Sequence, residues 1–127
     1  MQGDFKMKII ISNSSKEPIY EQITTQIKSL ILSDKLKEGE ILPSIRNLAK
    51  ELSISVITTK RAYDELEKEG FIETTPGRGS FVAGQNKELL RERRLRIIDQ
   101  KLTEIINECK YFNLSLEEII EMITIIY

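Results

Sequence analysis

Apolar and polar residues follow the spacing of an α-helix over much of the chain. Between residues 18 and 33 the apolar positions recur three or four residues apart, which predicts an amphipathic helix. Proline suits its first turn, because the backbone N–H that proline lacks would have no partner there. A short β-prone run at residues 7–11 and a polar loop precede this helix. The apolar stripe consists of Ile19, Ile23, Ile27, Leu30 and Ile31.

Two shorter helices follow, separated by a very short break. Ser44 is placed to cap a helix over residues 45–52, and Ser55 to cap a third helix that runs to Glu69. Gly70 follows, where a left-handed residue commonly ends a helix. Because the break is so short, the two helices cannot pack antiparallel and must cross steeply. The pattern predicts a helix-turn-helix.

A glycine-rich turn lies between two β-prone runs, residues 71–75 and 80–83, and predicts a β-hairpin. With a basic residue in it, the turn also resembles a loop that binds nucleotide phosphates. Such a loop requires a helix directly after it, whereas a second β-prone run follows here, so the nucleotide interpretation fails. Two interpretations remain: the wing of a winged helix-turn-helix that approaches a DNA backbone, or an ordinary turn with a solvated arginine.

The last third of the chain carries a long charged helix, predicted from Lys87, and a short apolar one. A capping box from Ser115 to Glu118 starts the short helix. A helix of about eleven residues is not stable alone in water, so it must pack on the long helix, on a second copy of the chain, or on both. We favour homodimerisation, because apolar residues around most of its circumference need more than one partner. The predicted dimer contacts are Leu95, Ile98, Leu102, Ile105, Cys109, Phe112, Leu116, Ile119, Ile120, Ile123 and Ile126.

Together these elements predict a mainly α-helical fold with a small β-hairpin, an α+β arrangement. We expect residues 1–84 to form a winged helix-turn-helix DNA-binding domain with its core over 17–84. Residues 85–127 are expected to form a C-terminal dimerisation region of two helices.

Composition narrows the possible function classes. The 127 residues carry 19 basic and 20 acidic side chains, so nucleic-acid binding must depend on local charge. There is no histidine, the commonest metal ligand and general base, and the single cysteine cannot form an internal disulfide. We therefore expect no metal site, no cofactor and no enzymatic activity. Neither a membrane-length apolar run nor a signal peptide is recognisable, so we expect a cytoplasmic protein without a membrane partner.

The third helix divides on a helical wheel into a core face and an exposed face. The core face holds Thr59, Ala62, Tyr63 and Leu66. The exposed face of its first two turns offers hydroxyl, ammonium and guanidinium groups, which bind phosphates and read base edges. Ile57 has no core to join there, and contact with a thymine methyl group would explain it. The alternative is an ordinary solvated helix surface.

Basic residues occur mainly in segments that would face DNA. Arg46 stands at a helix start, where a cation is unfavourable unless an anion lies nearby. That anion is either a phosphate or one of Glu38, Glu40 and Glu51. Concentrating basic residues in these segments lets a near-neutral protein bind a polyanion through one face. The predicted DNA contacts are Ser44, Arg46, Ser55, Ile57, Thr58, Lys60, Arg61, Gly77, Arg78 and Gly79.

Four motifs across residues 17–84 resemble the GntR family of bacterial transcription regulators. They are "PIYEQI" at 18–23, "LPSIRNLAKEL" at 42–52, "TTKRAYDELEKEGFIE" at 58–73 and "GRGSFV" at 77–82. Larger members carry a long effector domain after the winged helix. The short C-terminal region found here is similar to that of the YtrA-like subfamily.

This resemblance implies a dimeric repressor that binds an operator with two related half-sites, often near membrane-transporter genes. By motif position, Arg46 matches the DNA-contacting arginine of the second helix. Thr58, Thr59 and Arg61 match contacts of the recognition helix, and Gly77–Gly79 matches the wing tip. Because Thr59 also lies on the predicted core face, its role is either a contact with the phosphate backbone or packing, rather than base reading.

The chain departs from the family pattern at two positions. Ile57 stands where a polar or basic residue is frequent, which alters a base contact, and Asp34 stands where glycine is frequent, which changes a local cap. The main alternative function is a winged-helix protein-interaction adaptor without sequence-specific DNA binding. A small-molecule effector of unknown identity is a further possible partner.

Overall fold

The computed structural model describes residues 7–84 and 87–127, apart from the side chain of Lys87. The order is the predicted one, and the mainly helical α+β fold with one hairpin is confirmed. The predicted break before the long helix lies partly outside the described residues. The elements are α1 (Ile19–Leu32), α2 (Ile45–Leu52), α3 (Val56–Lys68), β1 (Ile72–Thr75), β2 (Gly79–Val82), α4 (Lys87–Tyr111) and α5 (Leu116–Ile126).

The predicted caps of α2 and α3 are confirmed. Ser44 Oγ accepts a hydrogen bond from the backbone N–H of Asn47 at 3.1 Å, and Ser55 Oγ accepts one from Thr58 at 3.0 Å. Each bond satisfies a backbone donor that has no partner inside its own helix. Gly70 has φ 85°, the left-handed conformation predicted after α3. These local bonds determine where both helices of the helix-turn-helix begin.

Residues 7–11, predicted as β-prone, form no strand and instead lie extended along α1. The backbone of Ile10 exchanges two hydrogen bonds with the side-chain amide of Gln26, at 2.9 and 2.8 Å. Ser12 does the same with Gln22, at 2.9 and 3.0 Å. Two extended residues and four helical residues both span about 6–7 Å, so successive amides reach alternate backbone positions. The glutamine amides take the place of a neighbouring strand.

The core of the winged helix centres on α1 and α3. Ile23 and Ile27 of α1 are fully buried in one cluster with Ala62 and Leu66 of α3. This confirms the apolar stripe predicted for α1 and the core face predicted for α3. Burial of these side chains supplies most of the favourable free energy that holds the two helices together.

An ion pair joins the same two helices at the edge of the core. Lys28 Nζ of α1 lies 2.7 Å from Glu69 Oε1, directly after α3, and the Lys28 side chain is only 8% exposed. The ammonium also lies 5.7 Å from the centre of the Phe71 ring. The pair therefore ties the C-terminal end of α3 to α1.

The hairpin gains a third backbone segment that the sequence presented only as a loop. Leu42 donates a hydrogen bond to the Ser80 carbonyl at 2.8 Å, and Val82 donates one to the Glu40 carbonyl at 2.9 Å. The segment 39–42 thus runs beside β2 and contributes an isolated antiparallel bridge. Because β1 occupies the other side of β2, the wing is held along both edges of its second strand.

The chain divides into two compact units, the first ending at Leu90 and the second running from Arg91 to Tyr127. Leu90 is buried in the core of the first unit, so the first turn of α4 belongs with the winged helix. The boundary predicted from the sequence lies after residue 84, before the first turn of α4, whereas the first unit extends to Leu90. The predicted capping box of α5 is confirmed in the second unit: Ser115 and Glu118 exchange hydrogen bonds of 3.1 and 2.9 Å. In the described residues, no helix has both the length and the apolar character needed to cross a bilayer.

Candidate nucleic-acid interface

The first two turns of α3 present a mainly polar face on which Ile57 is highly exposed. Ser55, Lys60 and Arg61 are exposed and Thr58 is partly exposed, while Ile57 is 82% exposed. A β-branched apolar side chain with so much surface in water contributes little to folding. The face therefore has the mixed chemistry that base-edge recognition uses: hydroxyl and cationic donors beside an apolar group.

Thr59 must be removed from the predicted DNA contacts. Its side chain is fully buried, with 0% exposure, and its hydroxyl donates a hydrogen bond to the Ser55 carbonyl at 3.0 Å. No surface of this side chain is left to reach a phosphate or a base. The helical wheel placed Thr59 correctly on the core face, whereas the family motif suggested a contact.

The hydroxyl groups at the start of α3 form a small network. Ser55 Oγ, which caps the helix, lies 2.8 Å from Thr58 Oγ1 and donates to it. The Thr58 hydroxyl accepts this bond, so its own proton remains available to an acceptor such as a phosphate oxygen. The N-terminus of α3 adds the positive end of the helix dipole.

Two cations on this face are held in different ways. Lys60 Nζ pairs with Asp64 Oδ2 at 2.9 Å, one helical turn further along. The Arg61 guanidinium carbon instead lies 3.8 Å from the centre of the Tyr20 ring of α1. Among the described residues Arg61 has no carboxylate within ion-pair distance, so its N–H donors are not used by an acidic partner.

Arg46, in the first turn of α2, is exposed. An ion pair with Glu38, Glu40 or Glu51 was the alternative to a DNA contact, and no such pair forms within residues 7–84 or 87–127. A cation at a helix N-terminus without an anionic neighbour is electrostatically unfavourable. A phosphate near Arg46 would remove that cost.

The wing tip is a tight turn that depends on glycine. The backbone N–H of Arg78 donates to the Thr75 carbonyl at 3.2 Å, and Gly77, between them, has φ 83°. Proline followed by a residue with positive φ is the signature of a type II turn. Gly79 also has positive φ, and a Cβ added to either glycine would meet nothing within 4 Å. The tip is therefore open to a close approach by another molecule.

Arg78 lies back along the wing. Its guanidinium carbon is 3.7 Å from the centre of the Phe81 ring, and Nη2 is 3.5 Å from the Gly39 carbonyl oxygen. The side chain is nevertheless exposed. Arg61 and Arg78 therefore each lie over an aromatic ring, Tyr20 of α1 and Phe81 of β2, respectively.

Tyr63 joins α3 to the segment just before α2. Its hydroxyl donates to the Pro43 carbonyl at 2.7 Å, across the turn before α2. Burial raises the pKa of the Tyr63 phenol, and the nearby Glu51 carboxylate raises it further. The neutral phenol is therefore the form that the folded protein stabilises.

We expect Tyr63→Phe to lower the free energy of unfolding by about 1–2 kcal/mol, because the half-buried Pro43 carbonyl loses the hydrogen bond from the buried phenol. Since the folded-state pKa lies above the ordinary value of 10.0, the phenol's contribution is complete below pH 10 and declines as the pH rises above it. Urea denaturation at pH 7 and at pH 10.5 should give a smaller alkaline loss for the variant than for the wild type. An equal loss in both proteins would contradict this role.

The second unit exposes many large apolar side chains on α4 and α5. No residue of α5 is buried in the single chain, and several large apolar side chains of α4 are also exposed. Burial of α5 within its own chain therefore does not cover its apolar surface. Residues that the sequence prediction did not include extend this surface: Ile97, Ile106, Tyr111, Met122, Ile125 and Tyr127.

The family of bacterial regulatory proteins called the gntR family has a sequence model that matches residues 19–82, which include the helix-turn-helix and the wing. The chain belongs to the GntR family. Its members are transcription regulators with a DNA-binding helix-turn-helix, and the predicted resemblance is confirmed. The chain is YtrA-like: it is 40% identical over 115 residues to the HTH-type transcriptional repressor YtrA of Bacillus subtilis, covering 91% of this chain and 88% of that protein.

Two solved structures are similar over nearly the whole of this GntR-family chain. A protein from Listeria monocytogenes described as a transcriptional antiterminator has a TM-score of 0.75 at 35% identity, covering 92% of this chain and 87% of that one. YtrA from Sulfolobus acidocaldarius, described as a GntR-family transcription factor, has a TM-score of 0.60 at 36% identity, covering 93% and 95%.

Sequence reasoning missed two aromatic residues of this GntR-family interface. Tyr20 and Phe81 support Arg61 and Arg78, respectively. Tyr20 is separated from Arg61 along the chain by the rest of α1, the following loop and α2, so helical periodicity gives no signal for the contact. Phe81 is close to Arg78 in the hairpin, where an arginine followed by an aromatic residue on the next strand is a weak local signal.

Proposed function

We propose that this GntR-family regulator is a homodimeric repressor that binds a roughly palindromic operator. The observation that carries the proposal is the exposed face of α3, with Ile57 surrounded by hydroxyl and cationic groups and with a buried opposite face. A repressor role is supported by similarity to a relative described as a repressor. Residues 1–84 and the first turn of α4 bind DNA in this proposal, and the chain from Arg91 onward dimerises.

Each group in the interface has a chemical role in this proposal. Ile57 contacts a thymine methyl group, and Arg61 reads a base edge through paired N–H donors. Arg46 and Arg78 bind phosphates, and the glycines of the wing tip allow the backbone to approach the sugar-phosphate chain. The remaining polar contacts, to phosphates near the helix N-termini, come from Ser44, Ser55, Thr58 and Lys60.

The exposed surface of α4 and α5 supports the dimer. An apolar surface of this extent on a monomer is typical of an interaction site, and a helix of about eleven residues needs tertiary packing to persist. A symmetric dimer places two recognition helices in successive major grooves about one DNA turn apart. Control of transporter genes and a small-molecule effector between the C-terminal helices are parts of the proposal that rest on the family resemblance alone.

The DNA-binding proposal is tested with Arg46→Ala and Arg61→Ala. We expect each change to weaken operator binding by about 1–3 kcal/mol, because each removes a charged donor from the DNA contact. Fluorescence anisotropy with fragments of the gene's own upstream region, titrated with salt, measures the affinity and the number of phosphate contacts. Lys68→Ala, in the last turn of α3, is the matched control because it removes one charge far from the helix N-terminus.

Operator binding unchanged by both arginine variants would contradict the proposed interface. The same holds if the wild-type protein shows no salt-dependent binding to any promoter fragment. In either case the adaptor alternative, in which the exposed face of α3 contacts a protein, would replace the proposal.

A further inference from the structure

The contact between Arg61 and Tyr20 differs in kind from the ion pair beside it. Lys60 is bound to Asp64 through its ammonium hydrogens, so another anion must compete with a carboxylate for them. The Arg61 guanidinium instead lies over the Tyr20 ring, with its carbon 3.8 Å from the ring centre. Stacking uses the π surface of both groups and leaves the in-plane N–H donors of arginine free.

Tyr20 is itself fixed in position. It lies in the first turn of α1, is half-buried, and packs against the hydrophobic core. Its hydroxyl donates a hydrogen bond to Glu21 Oε1 at 3.2 Å. A ring anchored at its apolar edge and at its hydroxyl restricts the plane in which the guanidinium above it can lie.

A fixed plane is what bidentate recognition of a base needs. Two parallel N–H donors reach the O6 and N7 atoms of guanine only when the guanidinium is coplanar with the base edge. A flexible arginine loses side-chain entropy when it adopts that geometry, whereas a stacked arginine has already lost part of it. Restricting the side chain before binding therefore raises affinity for the correct base.

We propose that Tyr20 is a positioning residue for operator recognition, which holds the guanidinium of Arg61 in the orientation that reads a base. The inference rests on the proposed function, since it takes Arg61 as a base contact. It extends the specificity determinants beyond the recognition helix to α1, which has no other predicted contact with DNA. Tyr20 acts through Arg61 in this proposal and does not touch DNA itself.

The stack is tested first in the protein without DNA. Ring current shifts protons above an aromatic face to lower frequency, so the δ-methylene protons of Arg61 should resonate upfield in the wild type and in Tyr20→Phe. They should return to ordinary values in Tyr20→Leu, which keeps apolar volume but has no π face. Ordinary values in the wild-type protein would overturn the proposal without reference to any operator.

A double-mutant cycle then tests the function of the stack. Tyr20→Leu should weaken operator binding about two- to fivefold, the value of an exposed cation–π contact, while Tyr20→Phe stays near wild type. In the Arg61→Ala background Tyr20→Leu should have no further effect, whereas it should keep its full effect in the Lys60→Ala background. Because no phosphate contact is lost, the salt dependence should not change. Thermal unfolding of each variant measures any loss of stability separately.

A panel of single-base operator substitutions gives a readout that a purely structural role would not move. Tyr20→Leu should reduce discrimination at the base pair where Arg61→Ala also reduces it. Full additivity of Tyr20→Leu with Arg61→Ala, or wild-type binding by Tyr20→Leu while Arg61→Ala is weakened, would overturn the positioning role and leave the proposed function intact. Wild-type binding by Arg61→Ala would overturn the positioning role, and wild-type binding by both Arg61→Ala and Arg46→Ala would overturn the proposed function as well.

Discussion

Replacing Ile120 with glutamate is expected to make the protein monomeric and to weaken operator binding by about a hundredfold or more. Ile120 lies in the middle of α5 and is 52% exposed in the single chain. Glutamate is a good helix former, so the helix itself should tolerate the change. In a dimer interface the same carboxylate would be buried without a partner, which costs several kcal/mol. Loss of the second half-site contact then removes the gain from simultaneous binding.

The matched control is Glu121→Gln on the same helix, which changes one exposed polar residue and adds no charge to the apolar surface. Light scattering reports the oligomeric state, and fluorescence anisotropy on the same DNA fragment reports the affinity. The dimer proposal fails if Ile120→Glu remains dimeric, or if it becomes monomeric and binds the operator as tightly as the wild type.

Glu69→Ala is expected to lower the free energy of unfolding of the winged helix by about 2–3 kcal/mol. The change leaves the Lys28 ammonium almost fully buried without its carboxylate, and the Phe71 ring at 5.7 Å replaces only part of that interaction. Glu69 is 32% exposed, so water compensates in part and the loss falls below that of a fully buried pair. Against a typical stability of about 5–15 kcal/mol this is a large effect.

Lys28→Met is the companion variant, because it removes the buried charge and keeps most of the apolar volume. We expect it to cost about 1 kcal/mol or less, since the remaining Glu69 carboxylate is accessible to water. Urea denaturation of both variants measures the difference, and the slope with denaturant checks that each unfolds in the same way. Equal losses for the two variants would show that burial of Lys28 does not control the energetics of the pair.

Features that depend on residues close in the chain were predictable. Ser44, Ser55 and Ser115 cap helices through bonds to residues only three positions away. The core face of α3 followed from helical periodicity alone, because burial of Thr59, Ala62, Tyr63 and Leu66 matches one side of the wheel. The turn of the wing followed from the conformational limits of proline and glycine.

Contacts between residues distant in the chain were not predictable. The run at residues 7–11 has the composition of a strand, and only the approach of α1 supplies the Gln22 and Gln26 amides that replace a second strand. The segment 39–42 reads as a loop until β2 lies beside it. For Thr59 the family motif suggested a DNA contact, but the packing of α3 buries its side chain.

For this protein, the sequence by itself determined the order of the helices and the hairpin, the buried face of α3 and the family, because caps, periodicity and motif spacing depend on residues that are close together in the chain. Only the tertiary structure decided how Arg61 is held, by the ring of Tyr20 from α1, whereas Lys60 pairs with a carboxylate of its own helix and Arg78 lies over Phe81 of its own hairpin. The physical reason is that the orientation of a long side chain depends on which surface packs beside it. For Arg61 that surface comes from another helix, which the fold alone brings within reach.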